Sequence, residues 1–109
     1  VKAFSPVLLQ DFQGYEIHIG RTHGPDCARP FARIAGRSDG AVSPDGRIMG
    51  SYLHGMFSHD GFRSAWLRRM GGAASTLHYA QEVDATLDAL AMHLEKHLDV
   101  AELLALSEV

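Results

Sequence analysis

No helical pattern separates the short strand-like segments in the first 57 residues of this 109-residue chain, and helical periodicity begins only after them. Parallel strands need crossover connections of a dozen or more residues, usually helices. A sheet built from these segments is therefore short and at least partly antiparallel. Because strands followed by helices are unusual for an independent α/β unit, we expect a fragment from the edge of something larger.

Two segments carry strand signals, while residues 1–12 show no assignable pattern. Residues 15–20 alternate between an apolar face and a polar face, and the polar face carries Glu16 and His18. Residues 31–35 read as another strand. The two tyrosines nearest the candidate site, Tyr15 and Tyr52, are assigned to packing.

A hairpin is predicted where Pro44-Asp45-Gly46 separates residues 39–43 from residues 47–53. Proline presets φ for the second position of a turn, and glycine accepts the conformation at its exit. Asp39 precedes a glycine and is interpreted as a turn former.

A first helix is predicted from Ser58 or Asp60, either of which can cap it, to about Arg69. Gly71-Gly72 ends it, with two cationic side chains in the last turn. Its predicted buried side consists of Phe62, Trp66, Leu67 and Met70.

A longer helix is predicted over residues 80–97, because apolar side chains recur there at three- and four-residue steps. This stripe is predicted to face the core; it consists of Val83, Leu87, Leu90, Leu94 and Leu98. Asp99 and Glu102 resemble an N-cap with its N3 partner, which predicts a short terminal helix.

The segment from Gly50 to Phe57 delivers one imidazole, His54, to the end of an apolar strand, where Gly55 lets the backbone turn sharply. The α/β enzymes place working side chains at such ends, because the strand holds them rigidly while the open end admits substrate. By spacing alone, a histidine satisfied at a strand end is the favoured alternative.

Composition excludes several function classes. A net charge of −3 with scattered arginines argues against nucleic-acid binding. No apolar run approaches the ~20 residues that span a bilayer, and the first residues lack a signal-peptide pattern. The single cysteine, Cys27, fits a reducing cytoplasm, where we expect the protein to act.

Seven histidines invite a metal hypothesis, but only His93 and His97 have a suitable spacing, four residues apart on a predicted helix. No flanking glutamate or third ligand accompanies them. We therefore predict no metal site and assign both imidazoles structural or solvent-facing roles.

Several motifs together resemble the C-terminal part of the cobyric acid synthase family, and the likeness covers residues 14–106. Single motifs of this kind are weak, but four in the right order are fairly specific. The motifs are Gly14-Tyr15-Glu16-Ile17-His18-Ile19-Gly20-Arg21-Thr22, Arg29-Pro30-Phe31, Gly36-Arg37-Ser38-Asp39-Gly40-Ala41 and Gly50-Ser51-Tyr52-Leu53-His54-Gly55, with helical segments around Trp66 and His93.

The resemblance implies an α/β fold: the C-terminal fragment of a class I, flavodoxin-like glutamine amidotransferase domain, spanning residues 1–109. It implies short mixed or antiparallel strands followed by two to three helices. In the family, ammonia released from glutamine amidates peripheral carboxylates of adenosylcobyrinic acid a,c-diamide, a corrinoid, in cobalamin biosynthesis. ATP and Mg²⁺ are expected in a separate synthetase domain, and no cofactor is expected in this segment.

The resemblance also assigns His54 as the acid–base partner of a cysteine nucleophile, which we expect upstream of Val1 on a glycine-rich elbow. Cys27 lacks such an elbow and is not assigned that role. Many class I members carry an acid two residues after this histidine, but here that residue is Met56. The site is then a Cys–His dyad, or Glu16 or His18 lines it and supplies the orienting acceptor.

Two alternatives from other classes stay open. One is a non-catalytic docking or scaffold domain that uses this half-fold to bind a partner chain; an exposed apolar sheet face would invite self-association. The other is a metal protein that uses His93 and His97. The sequence leaves the oligomeric state open.

Overall fold

The computed structural model describes residues 1–107, and the chain divides into two compact units, Val1–Thr76 and Leu77–Val109. The first unit holds all eight described strands and helix α1 (Asp60–Arg69). The second holds helices α2 (Tyr79–His97) and α3 (Val100–Ser107). Short antiparallel strands followed by three helices confirm the predicted fold class.

The main sheet of the first unit has four strands in the order β2-β1-β4-β5, and all its pairings are antiparallel. These strands are β1 (Lys2–Ser5), β2 (Gln10–Gln13), β4 (Ala32–Ile34) and β5 (Arg37–Asp39). Strand β4 confirms the strand predicted over residues 31–35. The β1–β2 hairpin was not predicted, because its turn contains Leu9 at a φ of 51° rather than the glycine or asparagine that signals a turn.

Two further antiparallel pairs complete the strands of the first unit: β3 (Tyr15–Glu16) with β8 (Leu53–His54), and β6 (Ala41–Val42) with β7 (Met49–Gly50). The β6–β7 pair confirms the predicted hairpin. In its turn the Gly46 amide donates to the Ser43 carbonyl oxygen at 2.9 Å.

The strand predicted through Gly20 is wrong beyond its second residue. Pairing ends at Glu16, and the following apolar side chains, Ile17 and Ile19, are exposed. Alternation is a necessary feature of a half-buried strand, but a strand also needs a neighbour with which to pair. Residues 17–20 instead form a loop beside a cleft.

Helix α1 packs its fully buried Phe62 against the sheet residue Phe12, with ring centroids 4.7 Å apart. Phe31 and Trp66 extend this aromatic core. The cap predicted at Ser58 or Asp60 is wrong, because His59 Nδ1 accepts the Phe62 amide at 3.3 Å. An imidazole nitrogen replaces the usual hydroxyl or carboxylate.

The end of α1 agrees with the prediction. Gly71 adopts a φ of 82°, and the amides of Gly71 and Gly72 donate to the carbonyls of Arg68 and Leu67. This is a Schellman motif, in which glycine takes the left-handed conformation. The predicted buried side is correct for Phe62 and wrong for Leu67 and Met70, which are exposed near this end of the helix.

In the second unit, α2 confirms the predicted long helix, and the Glu102 amide donates to Asp99 Oδ1 at 2.9 Å at the start of α3. The predicted core-facing role of the α2 stripe is wrong for this chain, because its five side chains are 39–56% exposed. Among the described residues of its own unit, the eight-residue α3 is the one element beside the 19-residue α2, and it is too short to cover the stripe. Among residues 1–107, none of the helices combines the length and the apolar character that a membrane span requires.

Candidate active site

His54 is the second residue of β8, where it pairs with Tyr15 of β3. Its side chain is exposed, and its ring stacks on that of Tyr15 with centroids 5.5 Å apart and planes 18° apart. Tyr15, which the sequence assigned to packing, therefore contacts the candidate catalytic ring. The stack limits the orientation of the imidazole while leaving it accessible to a reacting group.

Two glycines make this ring pair possible. Gly55 has a φ of 74°, which favours glycine, and a Cβ at this position would lie 3.0 Å from a ring carbon of Tyr15. A Cβ on Gly14 would lie 2.7 Å from the carbonyl oxygen of His54. The sharp turn predicted after His54 is thus present, and the glycine is needed for space as well as for its dihedral angles.

Asp39 supports the segment that leads into β8. Its Oδ2 accepts hydrogen bonds from Ser51 Oγ at 2.6 Å and from the Tyr52 amide at 3.2 Å. The interpretation of Asp39 as a hairpin-closing residue is wrong, since it ends β5 and its carboxylate reaches across to another strand connection. No local pattern signals this role, because the contact joins residues that only the β6–β7 pairing brings together.

Glu16 lies one residue beyond Tyr15 and pairs in register with the buried Leu53. Neighbouring residues of a strand point to opposite faces, so Glu16 and His54 point away from each other. Arg37 Nη2 donates to both Glu16 carboxylate oxygens, at 2.8 and 2.9 Å, and this bond raises the pKa of the Arg37 guanidinium. The geometry therefore argues against Glu16 as the acceptor that orients His54.

The ring of His18 stacks on that of Tyr52, with centroids 4.0 Å apart and planes 13° apart. The Tyr52 hydroxyl in turn hydrogen-bonds Thr22 Oγ1. These side chains border a cleft of about 500 Å³ beside β6 and β7. The cleft is also lined by Arg21, His23, Cys27, Asp39 and Ser51, whereas His54 is not among its lining residues.

Cys27 lies in a short 3₁₀ helix, Pro25–Ala28, and its thiol is directed at the Thr22 carbonyl oxygen, 3.8 Å away. The structure gives it no glycine elbow. That Cys27 is not the nucleophile stays a prediction.

One observed contact bears on the hypothesis of a metal site at His93 and His97. His93 and His97 of α2 bring their rings to 4.5 Å between centroids. Within residues 1–107, no group of three or more His, Cys, Asp or Glu side chains is arranged to hold a metal ion.

Comparisons with known proteins identify the family. The family model of the CobB/CobQ-like glutamine amidotransferase domain matches residues 4–62, which contain His54 and most of the described strands. The chain is 64% identical to a cobyric acid synthase of Cereibacter sphaeroides over 97 residues, which are 89% of this chain and 20% of that protein. No solved structure matches.

Two further cobyric acid synthases are similar. That of Paracoccus denitrificans is 62% identical over 100 residues, 92% of this chain and 20% of the relative. That of Brucella canis is 55% identical over 107 residues, 98% of this chain and 22% of the relative. The chain thus spans about a fifth of the length of the curated relatives that it matches. These findings confirm the resemblance noted in the sequence: the chain belongs to the family of CobB/CobQ-like glutamine amidotransferase domains.

Proposed function

We propose that this chain is the C-terminal part of the glutaminase domain of a cobyric acid synthase and that His54 is its general acid–base. The observation that carries the proposal is the exposed imidazole at the end of β8, held between a stacked tyrosine and a left-handed glycine. It lies within the residues that match the family. The relatives' shared name supports the choice of reaction.

In the proposed reaction, neutral His54 takes the proton of a cysteine thiol supplied by a part of the enzyme outside this chain. The thiolate attacks the side-chain amide carbon of glutamine and forms a C–S bond. The imidazolium then returns its proton to the departing nitrogen as the C–N bond breaks, and ammonia leaves. Water hydrolyses the resulting thioester to glutamate and regenerates the thiol.

The ammonia would pass to a separate synthetase domain, also outside this chain, which amidates corrinoid carboxylates. The proposal places ATP and Mg²⁺ in that domain and not among these residues. A reducing cytoplasm suits the reaction, because the attacking species is a thiolate that oxidation would remove.

The test is to substitute His54→Ala in the full-length enzyme and to measure amidation with glutamine and with ammonium chloride as nitrogen source. Removing a general base typically costs about 10²–10⁴-fold in rate. We expect a loss of this size with glutamine and an unchanged rate with ammonia, which bypasses the glutaminase. His93→Ala, on the exposed helix α2, is the matched control and should leave both rates unchanged. Equal losses with both nitrogen sources would instead assign His54 a structural role.

A further inference from the structure

We infer that Asp39 is a positioning residue for His54, because its carboxylate fixes the backbone segment that carries the imidazole. This inference rests on the proposed function, because the position of His54 affects the glutaminase rate only if His54 is the general acid–base. Asp39 itself has no role in the proposed proton transfers. It would act through Ser51 and the strand after it.

The carboxylate of Asp39 is an unusual group to find in this small domain. Asp39 is only 4% exposed, and it is one of two buried polar residues among those the structure describes. A buried carboxylate is costly unless hydrogen bonds compensate for its lost hydration. The compensation comes from Ser51 Oγ, at 2.6 Å, and the Tyr52 amide, at 3.2 Å. The first distance is typical of a charge-assisted O–H···O⁻ bond, one of the stronger kinds in proteins.

The hydrogen bonds continue from Ser51 to the strand that bears His54. Ser51 Oγ donates a hydrogen bond to Asp39 Oδ2 and accepts a hydrogen bond from the Leu53 amide at 3.0 Å. Leu53 is the first residue of β8, its side chain is buried, and His54 comes directly after it. The carboxylate therefore bonds Ser51 and Tyr52 directly and is linked to Leu53 through Ser51, and these three residues immediately precede the imidazole.

The backbone at Gly40 brings Asp39 within hydrogen-bonding distance of Ser51 and Tyr52. The next residue, Gly40, has a φ of 70°, and a Cβ there would lie 2.0 Å from the carbonyl oxygen of Gly50. Such a close approach is open only to glycine. It sets the end of β5 directly beside the end of β7, one residue before Ser51.

The orientation of His54 depends on this support because the sequence offers no acid beside the ring. The residue two positions after the imidazole is Met56, which has no carboxylate to orient it, and Glu16 is bonded to Arg37. The ring position then depends on the register of β8 and on the Tyr15 stack. A displacement of about 1 Å in a catalytic group can cost on the order of 10²-fold in rate.

The experiment uses the full-length enzyme with Asp39→Ala, Asp39→Asn and Ser51→Ala, and with Asp45→Ala as the matched control. Asp45 is also an aspartate bonded to a serine, but it lies in the exposed β6–β7 turn. Glutaminase kcat and KM are measured per active site, counted by complete labelling with a chloroketone analogue of glutamine. Ammonia-dependent amidation is measured in parallel.

We expect Asp39→Ala to lower kcat about 10²-fold and Ser51→Ala about tenfold, with KM for glutamine and the ammonia-dependent rate unchanged. Asp39→Asn should stay within about tenfold of the unsubstituted enzyme, because the amide oxygen can still accept both hydrogen bonds. Asp45→Ala should leave kcat, KM and the ammonia-dependent rate unchanged. If Asp39→Ala does not fold, the expected tenfold loss in Ser51→Ala still provides the test.

The inference is overturned if kcat per labelled site is unchanged in Ser51→Ala, or in Asp39→Ala where that variant folds. It is also overturned if the ammonia-dependent rate falls in parallel, which indicates a merely structural role. Failure of the proposed function gives a different result: His54→Ala then retains glutaminase activity, whatever the Asp39 variants do.

Discussion

At the scale of single residues, the Tyr15 ring is a close neighbour of the His54 imidazole. It stacks on the imidazole and also fills the space over Gly55, so the movement of the His54 ring is restricted on one face. The contact is made between the two rings. Aromatic pairs of this kind are worth about 0.5–1.5 kcal/mol beyond their buried area.

We therefore predict that Tyr15→Leu lowers glutaminase kcat in the full-length enzyme about twofold to thirteenfold, the range that corresponds to this stacking energy. Tyr15→Phe keeps the ring and should stay within about twofold of the original rate. Steady-state kinetics with glutamine measure both variants. An equal loss in the two would assign the effect to the hydroxyl and contradict the stacking account.

The turn residue Asp45 makes a pH-dependent contribution to the stability of the fold. Hydrogen bonds from the Ser43 hydroxyl and from the Arg47 amide favour its ionised form, and the pKa of Asp45 is held below its usual value. A lowered pKa in the folded state stabilises the fold above the unfolded pKa of about 3.9. This contribution is lost as the pH falls through the folded pKa.

We predict that an NMR titration of the Asp45 carboxyl carbon gives a midpoint below about 3.9, the value for an unperturbed aspartate. Ser43→Ala removes the larger cause and should move the midpoint upward toward that value. A midpoint that Ser43→Ala leaves unchanged would show that the hydroxyl does not stabilise the carboxylate in solution.

At the scale of elements, two glycines near the β6–β7 pair make a matched contrast. A Cβ on Gly40 would meet the Gly50 carbonyl oxygen at 2.0 Å in a backbone with positive φ, whereas a Cβ on Gly50 would meet nothing within 4 Å. Left-handed strain costs about 1–2 kcal/mol, and overpacking costs about 1–3 kcal/mol.

We predict that Gly40→Ala lowers the free energy of unfolding by about 2–5 kcal/mol, the sum of these two costs. Gly50→Ala should change it by less than about 1 kcal/mol, as substitutions away from such features do. Urea unfolding of the 109-residue chain, monitored by the fluorescence of Trp66, its one tryptophan, measures both. Similar losses in the two variants would mean that the close approach at Gly40 does not exist in solution.

Sequence patterns predicted the helices better than the strands, for a physical reason. The 3.6-residue period and the Gly71-Gly72 stop are local, so α1 and α2 lie close to their predicted bounds. The paired segments of β3, β6, β7 and β8 are only two residues long, and their extent depends on partners that are distant in sequence. The β1–β2 hairpin was missed because its turn has Leu9 at a positive φ, where glycine or asparagine would have signalled it.

At the scale of the whole chain, the family match and the candidate site both fall in the first unit, Val1–Thr76. The sequence could identify His54, because its flanking glycines and apolar strand are contiguous. It could not identify Asp39, whose partners are 12 and 13 residues away. The sequence also predicted, wrongly, that the α2 stripe faces a core. Periodicity shows which face of a helix is apolar, but it does not show whether another element covers that face.

The central claim is that His54 acts as a general base toward a thiol from outside this chain, and chemical rescue tests it most directly. Glutamate release from glutamine by the full-length His54→Ala enzyme is measured with and without added imidazole. We predict activity near background without imidazole and a saturable, pH-dependent recovery with it, because a free base can occupy the vacated space; a Met56→Ala control should show no such dependence. Unchanged glutamate release by His54→Ala in the absence of imidazole would contradict the account.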